Sequence, residues 1–123
     1  FRLMVRLFCD YISTTQTTKN TDQVHSLRVE RLSRTLQLLQ RFNAMHNYNA
    51  VMELLCALHS PPCSLYVKAW QDVDRKLMRV FTHLTNLMHP QNNYQRYRQR
   101  LKSHHPLSIV PFTGMLLQDL TLL

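Results

Sequence analysis

The most constraining feature of this chain is a short, almost wholly apolar segment near its middle, Asn47–Pro62, which reads NYNAVMELLCALHSPP. Only Glu53 carries a charge between Asn49 and Leu58. A helix that is apolar around its whole circumference has to be covered on nearly every side. We therefore expect this helix to lie at the centre of a helical domain, with its more polar ends as the places where a partner is met.

The rest of the chain also favours helices. It contains a single glycine, Gly114, and its β-branched residues never alternate with polar ones as they do in strands. The predicted fold class is therefore all-α, an irregular multi-helix domain of about six helices. A length of 123 residues corresponds to one domain at most, or to a piece of a larger one.

The first third of the chain holds two amphipathic helices joined by a polar loop. We predict the first helix over Phe1–Ile12, the loop over Ser13–Asn20, and the second helix from an N-cap at Asp22 to about His46. The inward stripes are Leu3, Leu7 and Tyr11 in the first helix, and Leu32, Leu36, Leu39, Phe42 and Met45 in the second. Four arginines of the second helix fall outside its stripe and should be mostly solvated: Arg28, Arg31, Arg34 and Arg41.

Three further helices are predicted after the apolar segment. Ser60 caps a fourth helix, which has the clearest apolar pattern in the chain and ends at Pro90. Its stripe, in which Trp70 is expected to be a core residue, is Trp70, Val73, Leu77, Phe81, Leu84 and Met88. A fifth helix carries Tyr94, Tyr97 and Leu101 on one side, and a last one from Pro111 turns Phe112, Met115, Leu116 and Leu120 inward. The pair His104–His105 between these two helices is predicted to be a solvated loop.

Basic residues outnumber acidic residues by 15 to 7, which gives the chain a net charge of +8. Such an excess is compatible with a nucleic acid, an acidic membrane face or an acidic protein as partner. The densest basic run, Arg96–Lys102, alternates with other residues and so spreads around a helix, and no glycine-rich or aromatic RNA-binding motif accompanies it. The sequence therefore disfavours a nucleic-acid partner. No apolar run approaches the length of about 18 residues that a membrane span needs.

The cysteines and histidines do not predict a metal or catalytic site. An odd number of cysteines without scaffold spacing, Cys9, Cys56 and Cys63, indicates reduced thiols in an intracellular chain. Cys56, His59 and Cys63 with the nearby His46 suggest a zinc site, but Pro-Pro breaks the helix and no second ligand pair follows. Motifs of hydrolases, nucleotide-binding loops and metalloproteases are missing, as are paired carboxylates. We predict no metal, no cofactor and no covalent chemistry.

Four sequence blocks follow one another in a specific order. They are NYNAVMELLCALHSPP at 47–62, Trp70 shortly afterwards, NYQRYR at 93–98 and IVPFTGMLLQDLT at 109–121. This succession resembles the Cdc25-homology (RasGEF) catalytic domain of guanine nucleotide exchange factors for Ras-family GTPases. In that family, a block like N-[FY]-N-x-[LV]-M precedes an N-S-P-P turn, a T-W helix, an N-x-x-x-Y-R block and a [IV]-P-[FY]-x-G-x-x-L-x-D-L-T segment.

The resemblance covers about Arg28 to Thr121, and the stretch Phe1–Ile12 is more weakly similar to the helix that precedes this core in the family. It corresponds to roughly the middle half of such a domain. We therefore expect residues 1–123 to be a partial domain that lacks the family's first helices and the helical hairpin that follows Leu123.

What the resemblance implies is a function by binding. Domains of this family hold switch II of the GTPase and drive a helical hairpin against switch I, which displaces Mg²⁺ and loosens the nucleotide. Carried over by position, the switch II pocket includes Met52, Tyr94 and Phe112, and His59 lies next to it. For all three pocket residues, core packing is the open alternative. Glu53 either faces the groove or pairs with an arginine of the second helix.

The implied partner is a Ras-family GTPase of Ras, Rap or Ral type. We expect the protein to be cytoplasmic and to act at membrane-bound GTPases, to which flanking domains recruit it. The chain departs from the family pattern at His59, where the family usually has asparagine, and at Leu65, where it often has arginine. These departures leave open a second function, a module that docks a small GTPase or another helix without exchanging its nucleotide.

Overall fold

The computed structural model describes residues 1–13, 20–61 and 63–123, and these form α-helices and short 3₁₀ turns without any β-strand. This confirms the all-α class. The helices are α1 (Arg2–Ser13), α2 (Thr21–Ala44), α3 (Tyr48–His59), α4 (Val67–Gln71), α5 (Arg75–Leu87), α6 (Gln91–Lys102) and α7 (Thr113–Thr121), with 3₁₀ turns at Cys63–Leu65 and Pro106–Ser108. The predicted loop Ser13–Asn20 falls mostly on residues 14–19, which lie outside the described residues. In the described ranges, no helix is both long and apolar enough to cross a bilayer.

Helix α3 is the centre of the fold, as its apolar sequence predicts. The Asn47 side-chain oxygen accepts a hydrogen bond from the Ala50 N–H at 3.1 Å and so begins the helix. The helix packs against α1, α2 and α5, and its buried residues are Tyr48, Val51, Leu54, Leu55, Ala57 and Leu58. No residue between Tyr48 and Leu58 is exposed, which confirms that the helix is covered on nearly every side, although one face is covered only in part.

Helix α1 packs through a different stripe from the predicted one. Ile12 is fully buried and Phe8 packs against the core. The predicted stripe is exposed instead, with relative accessibilities of 68% for Leu3, 52% for Leu7 and 41% for Tyr11. The sequence FRLMVRLF has apolar residues on two neighbouring sides of the helix, and spacing alone does not distinguish which of them meets the core.

Helix α2 begins slightly before its predicted start and ends slightly before its predicted end. Its N-cap is Asn20, whose side-chain oxygen accepts from the Asp22 N–H at 3.0 Å, so Asp22 is not the cap. It ends at Ala44, because His46 adopts a left-handed conformation with φ 56°. Met45 therefore lies beyond the helix and is 67% exposed. The rest of the stripe faces the core: Leu32, Leu36 and Leu39 are fully buried, and Phe42 packs against them.

Two of the arginines predicted to be solvated make contacts between elements. The Arg28 guanidinium lies over the Tyr66 ring, 4.1 Å from its centroid. Arg31 donates to the Tyr11 carbonyl oxygen at 2.7 Å and so ties α2 to α1. Both are partly buried, whereas Arg34 and Arg41 are exposed as predicted.

The predicted fourth helix is two helices. Ser60 is the C-cap of α3, and the chain then passes through a 3₁₀ turn before α4 begins. A second break separates α4 from α5, because the Asp74 carboxylate accepts from the Lys76 N–H at 2.6 Å and starts a new helix. The apolar stripe continues across this break, which is why the pattern reads as one helix. Val73, Leu84 and Met88 are buried in it.

The last two helices differ in detail from their predictions. Tyr97 of α6 is fully buried and Met115 of α7 nearly so, as predicted. Leu116 and Leu120 are 40% and 64% exposed, which corrects their assignment as inward residues. The first turn of α6 is left-handed, with φ values between 53° and 57° at residues 92–94.

His104 is not part of a solvated loop. Its ring lies on that of His46, with centroids 4.0 Å apart, and it is partly buried. Its Nε2 atom is buried and has no hydrogen-bond partner among the described residues. Burial lowers the pKa of the His104 imidazole, and the neighbouring His46 and Arg100 lower it further. His105 is exposed, as predicted, and its Nδ1 accepts from the Leu107 N–H at 3.2 Å.

Candidate partner-binding groove

One face of α3, which we call the open face, is not fully covered by other helices. Its residues are Asn49, Met52, Glu53, Cys56 and His59, of which the first four are partly exposed and His59 is exposed. Their spacing of three or four residues puts them on one side of the helix. From first to last they span about 15 Å along the axis. The open face is therefore a long strip rather than a point site.

At the N-terminal end of the strip, Asn49 connects α3 to α7. Its side-chain oxygen accepts hydrogen bonds from the Thr113 N–H at 3.3 Å and the Thr113 hydroxyl at 3.2 Å. Its Nδ2 donates to Glu53 Oε1 at 2.8 Å. The Glu53 carboxylate consequently lies on the open face, which answers the question that the sequence left open. Met52 lies on the same side of the helix, one turn beyond Asn49.

Tyr94 and Phe112 form an aromatic pair beside this end of the strip. Their ring centroids are 5.8 Å apart at an interplanar angle of 62°, the favoured edge-to-face arrangement. Tyr94 is partly buried and Phe112 is 8% exposed, and the Phe112 ring also approaches Phe1 at 6.0 Å. The Phe112 N–H donates to the Tyr97 hydroxyl oxygen at 2.9 Å. Phe112 is thus nearly a core residue, and Tyr94 is the more accessible of the two.

His59 lies at the opposite end of the strip, about 10 Å from Met52 along the helix axis. Its ring stacks on Phe81 with centroids 5.0 Å apart, and its Nε2 lies 3.1 Å from the Thr85 hydroxyl oxygen. Burial lowers the pKa of the His59 imidazole. The structure therefore brings Tyr94 and Phe112 into contact at one end and puts His59 at the other.

An apolar cavity of about 480 Å³ adjoins His59. Its lining residues include Leu58, Trp70, Met78 and Phe81. The Trp70 Nε1–H donates to the Cys63 carbonyl oxygen at 2.9 Å, and its ring stacks on Phe81 with centroids 4.9 Å apart. Trp70 packs against the core but is only partly buried and lines this cavity, which its prediction as a core residue did not foresee.

The arrangement offers apolar and aromatic surface with a few fixed polar groups. In the part of the chain that the structure describes, no three His, Cys, Asp or Glu side chains are grouped as a metal site would require. Cys63 is buried, and burial together with the Glu53 charge raises the pKa of the Cys56 thiol, which favours its neutral form. The groove suits the binding of apolar and aromatic side chains of another protein.

Comparisons with known proteins agree in naming one kind of domain. The RasGEF domain family matches residues 1–123. Ras guanine nucleotide exchange factor Y of Dictyostelium discoideum is 36% identical over 101 residues, which cover 76% of this chain and 7% of that protein. Guanine nucleotide exchange factor SDC25 of Saccharomyces cerevisiae is 33% identical over 96 residues, 78% of this chain and 8% of its own length.

A third relative is the Ras-specific guanine nucleotide-releasing factor RalGPS1 of Mus musculus. It is 30% identical over 100 residues, which cover 81% of this chain and 17% of that protein. The chain thus spans less than a fifth of the length of each of these three curated relatives.

Proposed function

The chain belongs to the RasGEF domain family, and on that premise we propose that it is the GTPase-binding part of a guanine nucleotide exchange factor for a Ras-family small GTPase. In this proposal the groove along the open face of α3 receives switch II of the GTPase. Met52, Tyr94 and Phe112 form the pocket at one end, and His59 meets the partner at the other. The exchange factor lowers the affinity of the GTPase for GDP by binding and does no covalent chemistry.

The observation that carries this proposal is the Tyr94–Phe112 pair beside the open face of α3. An edge-to-face pair presents a rigid aromatic wall. Met52, a polarisable and adaptable side chain, lies one helical turn from Asn49, which is hydrogen-bonded to Thr113 beside Phe112. Such a pocket is suited to a protruding aromatic or apolar anchor, the kind of residue that dominates binding energy in protein interfaces. The polar groups around it, Asn49 and Glu53, are engaged with each other and with Thr113, so they do not have to be desolvated without partners.

His59 supports the same proposal in spite of its departure from the family pattern. A lowered pKa keeps the imidazole neutral at pH 7. A neutral imidazole has one donor and one acceptor nitrogen, and an asparagine amide likewise offers both functions. Because Nε2 already pairs with the Thr85 hydroxyl, the other ring nitrogen remains to donate to or accept from a partner at this end of the strip.

Thermodynamic linkage relates the affinity of the protein for the GTPase to the affinity of the GTPase for GDP. If the protein weakens the GTPase's hold on GDP by a given factor, GDP weakens the protein's hold on the GTPase by the same factor. Binding to the nucleotide-free GTPase must accordingly be far tighter than binding to the GDP-loaded form. The ratio of these two affinities measures how strongly the protein weakens GDP binding, and the rate of exchange has to be measured separately.

The test is release of a fluorescent GDP analogue from a panel of Ras, Rap and Ral proteins in the presence of the full-length protein. We expect faster release from at least one of them, and tighter binding to that GTPase once its nucleotide is removed. If the full-length protein accelerates none of the panel, the proposed exchange activity is wrong.

A second candidate is a module that docks a GTPase without exchanging its nucleotide. It is favoured by Leu65, which is 69% exposed at a position where the family often carries arginine. An exposed apolar side chain there removes a cation that could contact an acidic GTPase surface. This candidate predicts a measurable affinity for the GTPase with equal strength for its GDP-bound and nucleotide-free forms. A strong preference for the nucleotide-free form would contradict it.

A further inference from the structure

Residues 109–113, which we call the strap, cross the N-terminal end of α3 and lead into α7, whose first residue is Thr113. Val110 pairs with the chain on both sides of Asn47: its N–H donates to the His46 carbonyl oxygen at 3.0 Å, and its carbonyl oxygen accepts from the Tyr48 N–H at 2.8 Å. These two backbone hydrogen bonds fix the distance between the strap and the N-terminal end of α3. They do not by themselves fix its next residues, among which is Phe112.

Two side chains from other elements complete the attachment. The Tyr97 hydroxyl of α6 accepts from the Phe112 N–H, and the Asn49 amide of α3 accepts from the Thr113 N–H and hydroxyl. Tyr97 is fully buried, and its ring packs edge-on against Tyr48 with centroids 5.3 Å apart. Because the ring is enclosed, its hydroxyl has one fixed position.

We infer that Tyr97 and Asn49 are positioning residues that hold Phe112 at the edge of the groove before a partner arrives. The inference deepens the proposed function and rests on it. A strap held in its bound position does not have to be ordered during binding, so less of the interaction energy is consumed in ordering it. Without the Tyr97 hydroxyl, the Phe112 N–H is a buried donor without a partner, and the strap gains by moving toward solvent.

The chain offers a closely matched pair of variants to test this. Tyr97→Phe and Tyr48→Phe each remove one hydroxyl from a fully buried tyrosine, and the two rings touch. The Tyr97 oxygen has the Phe112 N–H as its partner. Burial raises the pKa of the Tyr48 hydroxyl, and Arg100 offsets part of that rise through its charge and a side-chain hydrogen bond. Among the described residues, the strap makes no hydrogen bond to this hydroxyl.

In the full-length protein, we expect Tyr97→Phe to lower kcat/KM for nucleotide exchange about three- to tenfold, the range of one buried hydrogen bond. Tyr48→Phe should leave it unchanged. Hydrogen exchange of the Phe112 amide should accelerate in Tyr97→Phe and not in Tyr48→Phe. The core variant Ile12→Val in α1 serves as a stability control, since it lowers the Tm at a distance from the groove.

The outcomes separate this inference from the proposed function. If Tyr97→Phe exchanges nucleotide as fast as the wild type, or loses no more than Ile12→Val at equal loss of Tm, the positioning role is wrong while the exchange function stands. If the wild type accelerates no GTPase, the proposed function fails and the positioning role toward a GTPase fails with it. Hydrogen exchange of the Phe112 amide then still tests whether Tyr97 holds the strap. Unchanged protection of this amide in Tyr97→Phe would refute that role as well.

The role of Asn49 is tested by a substitution that should lower exchange and a second substitution that should restore it. Asn49→Asp keeps the oxygen that accepts from Thr113 but loses the donor to Glu53 and puts two carboxylates next to each other. We expect exchange to fall at least threefold in this variant. Adding Glu53→Gln removes the repulsion and restores a donor between the two positions, so most of the loss should be recovered. If Glu53→Gln alone exchanges nucleotide normally and the double variant still does not recover activity, Asn49 is ruled out as a positioning residue.

Discussion

Replacing Gly114 by alanine should separate the stability of this domain from its partner binding. Gly114 lies in the first turn of α7, and its φ is not positive, so its backbone accepts any L residue. In a helix this change normally stabilises by about 1 kcal/mol. A Cβ at this position, however, would lie 2.6 Å from Phe112 Cζ and 2.8 Å from Cε2. The nearest ring carbon has to move by about 0.8 Å to reach an ordinary separation of 3.4 Å.

The two effects offset each other in part in stability but not in binding. Forcing a packed ring from its position typically costs about 1–3 kcal/mol, and the gain in helix propensity offsets about 1 kcal/mol of this. The free energy of unfolding should therefore fall by at most about 2 kcal/mol. The displaced Phe112 ring no longer meets Tyr94 edge-on, a contact worth about 0.5–1.5 kcal/mol. We expect GTPase binding and exchange to weaken about three- to tenfold, because this pair forms the proposed pocket.

The assay combines denaturant unfolding with release of a fluorescent GDP analogue. Gln118→Ala, an exposed position in the same helix, is the control for helix propensity. Phe112→Leu supplies a second check, since a smaller side chain relieves the clash and should cost less in the Gly114→Ala background than alone. A Gly114→Ala protein that is more stable by the full 1 kcal/mol and exchanges nucleotide normally would refute the reasoning.

Three further predictions concern other parts of the structure. Tyr94→Ala should reduce GTPase affinity with little change in Tm, because the ring is partly exposed; a large fall in Tm would show it to be core. Arg98→Lys should lower the Tm by a few degrees. The guanidinium donates two hydrogen bonds to Asp119, at 2.9 and 2.7 Å, which lysine cannot reproduce, and an unchanged Tm would contradict this. The pKa of His104 is lowered in the folded state, so folding favours the neutral imidazole. The free energy of unfolding is therefore highest above the unfolded pKa of 6.5 and decreases as the pH falls below that value. His104→Gln should flatten this part of the pH profile, measured by denaturant unfolding.

Much of this fold could be predicted from local pattern. The stripe on α2 and the turn positions around α3 follow from residues whose spacing matches the helix period. What failed depended on neighbours that are distant in sequence. Leu7 and Phe8 are equally apolar, and only the position of α3 decides that Phe8 faces inward. The break at Asp74 was hidden for a related reason, because the apolar stripe continues through it and the capping carboxylate is only one residue in a long pattern.

The residues of the candidate site stay a prediction, and their layout differs from the expected one. The resemblance to a known family implied a pocket of Met52, Tyr94 and Phe112 with His59 next to it. The structure puts His59 at the far end of the strip, in contact with Phe81. Phe112 is buried enough that its replacement by alanine would remove core packing, at a typical cost of about 3–5 kcal/mol. Tyr94 is therefore the better probe of binding.

The left-handed turn at the start of α6 has a consequence for sequence variation. Each residue in this conformation costs about 1–2 kcal/mol unless it is glycine, and asparagine tolerates it better than most residues. Asn92 and Asn93 thus occupy positions where a library of random substitutions should return asparagine, aspartate and glycine, and should exclude valine and isoleucine. Tyr94 adopts the same left-handed conformation, with φ 57°, although tyrosine disfavours it. A helical wheel drawn through residues 91–102 gives false neighbours for Tyr94, so variants of this aromatic ring should be designed from its contact with Phe112 rather than from helical periodicity.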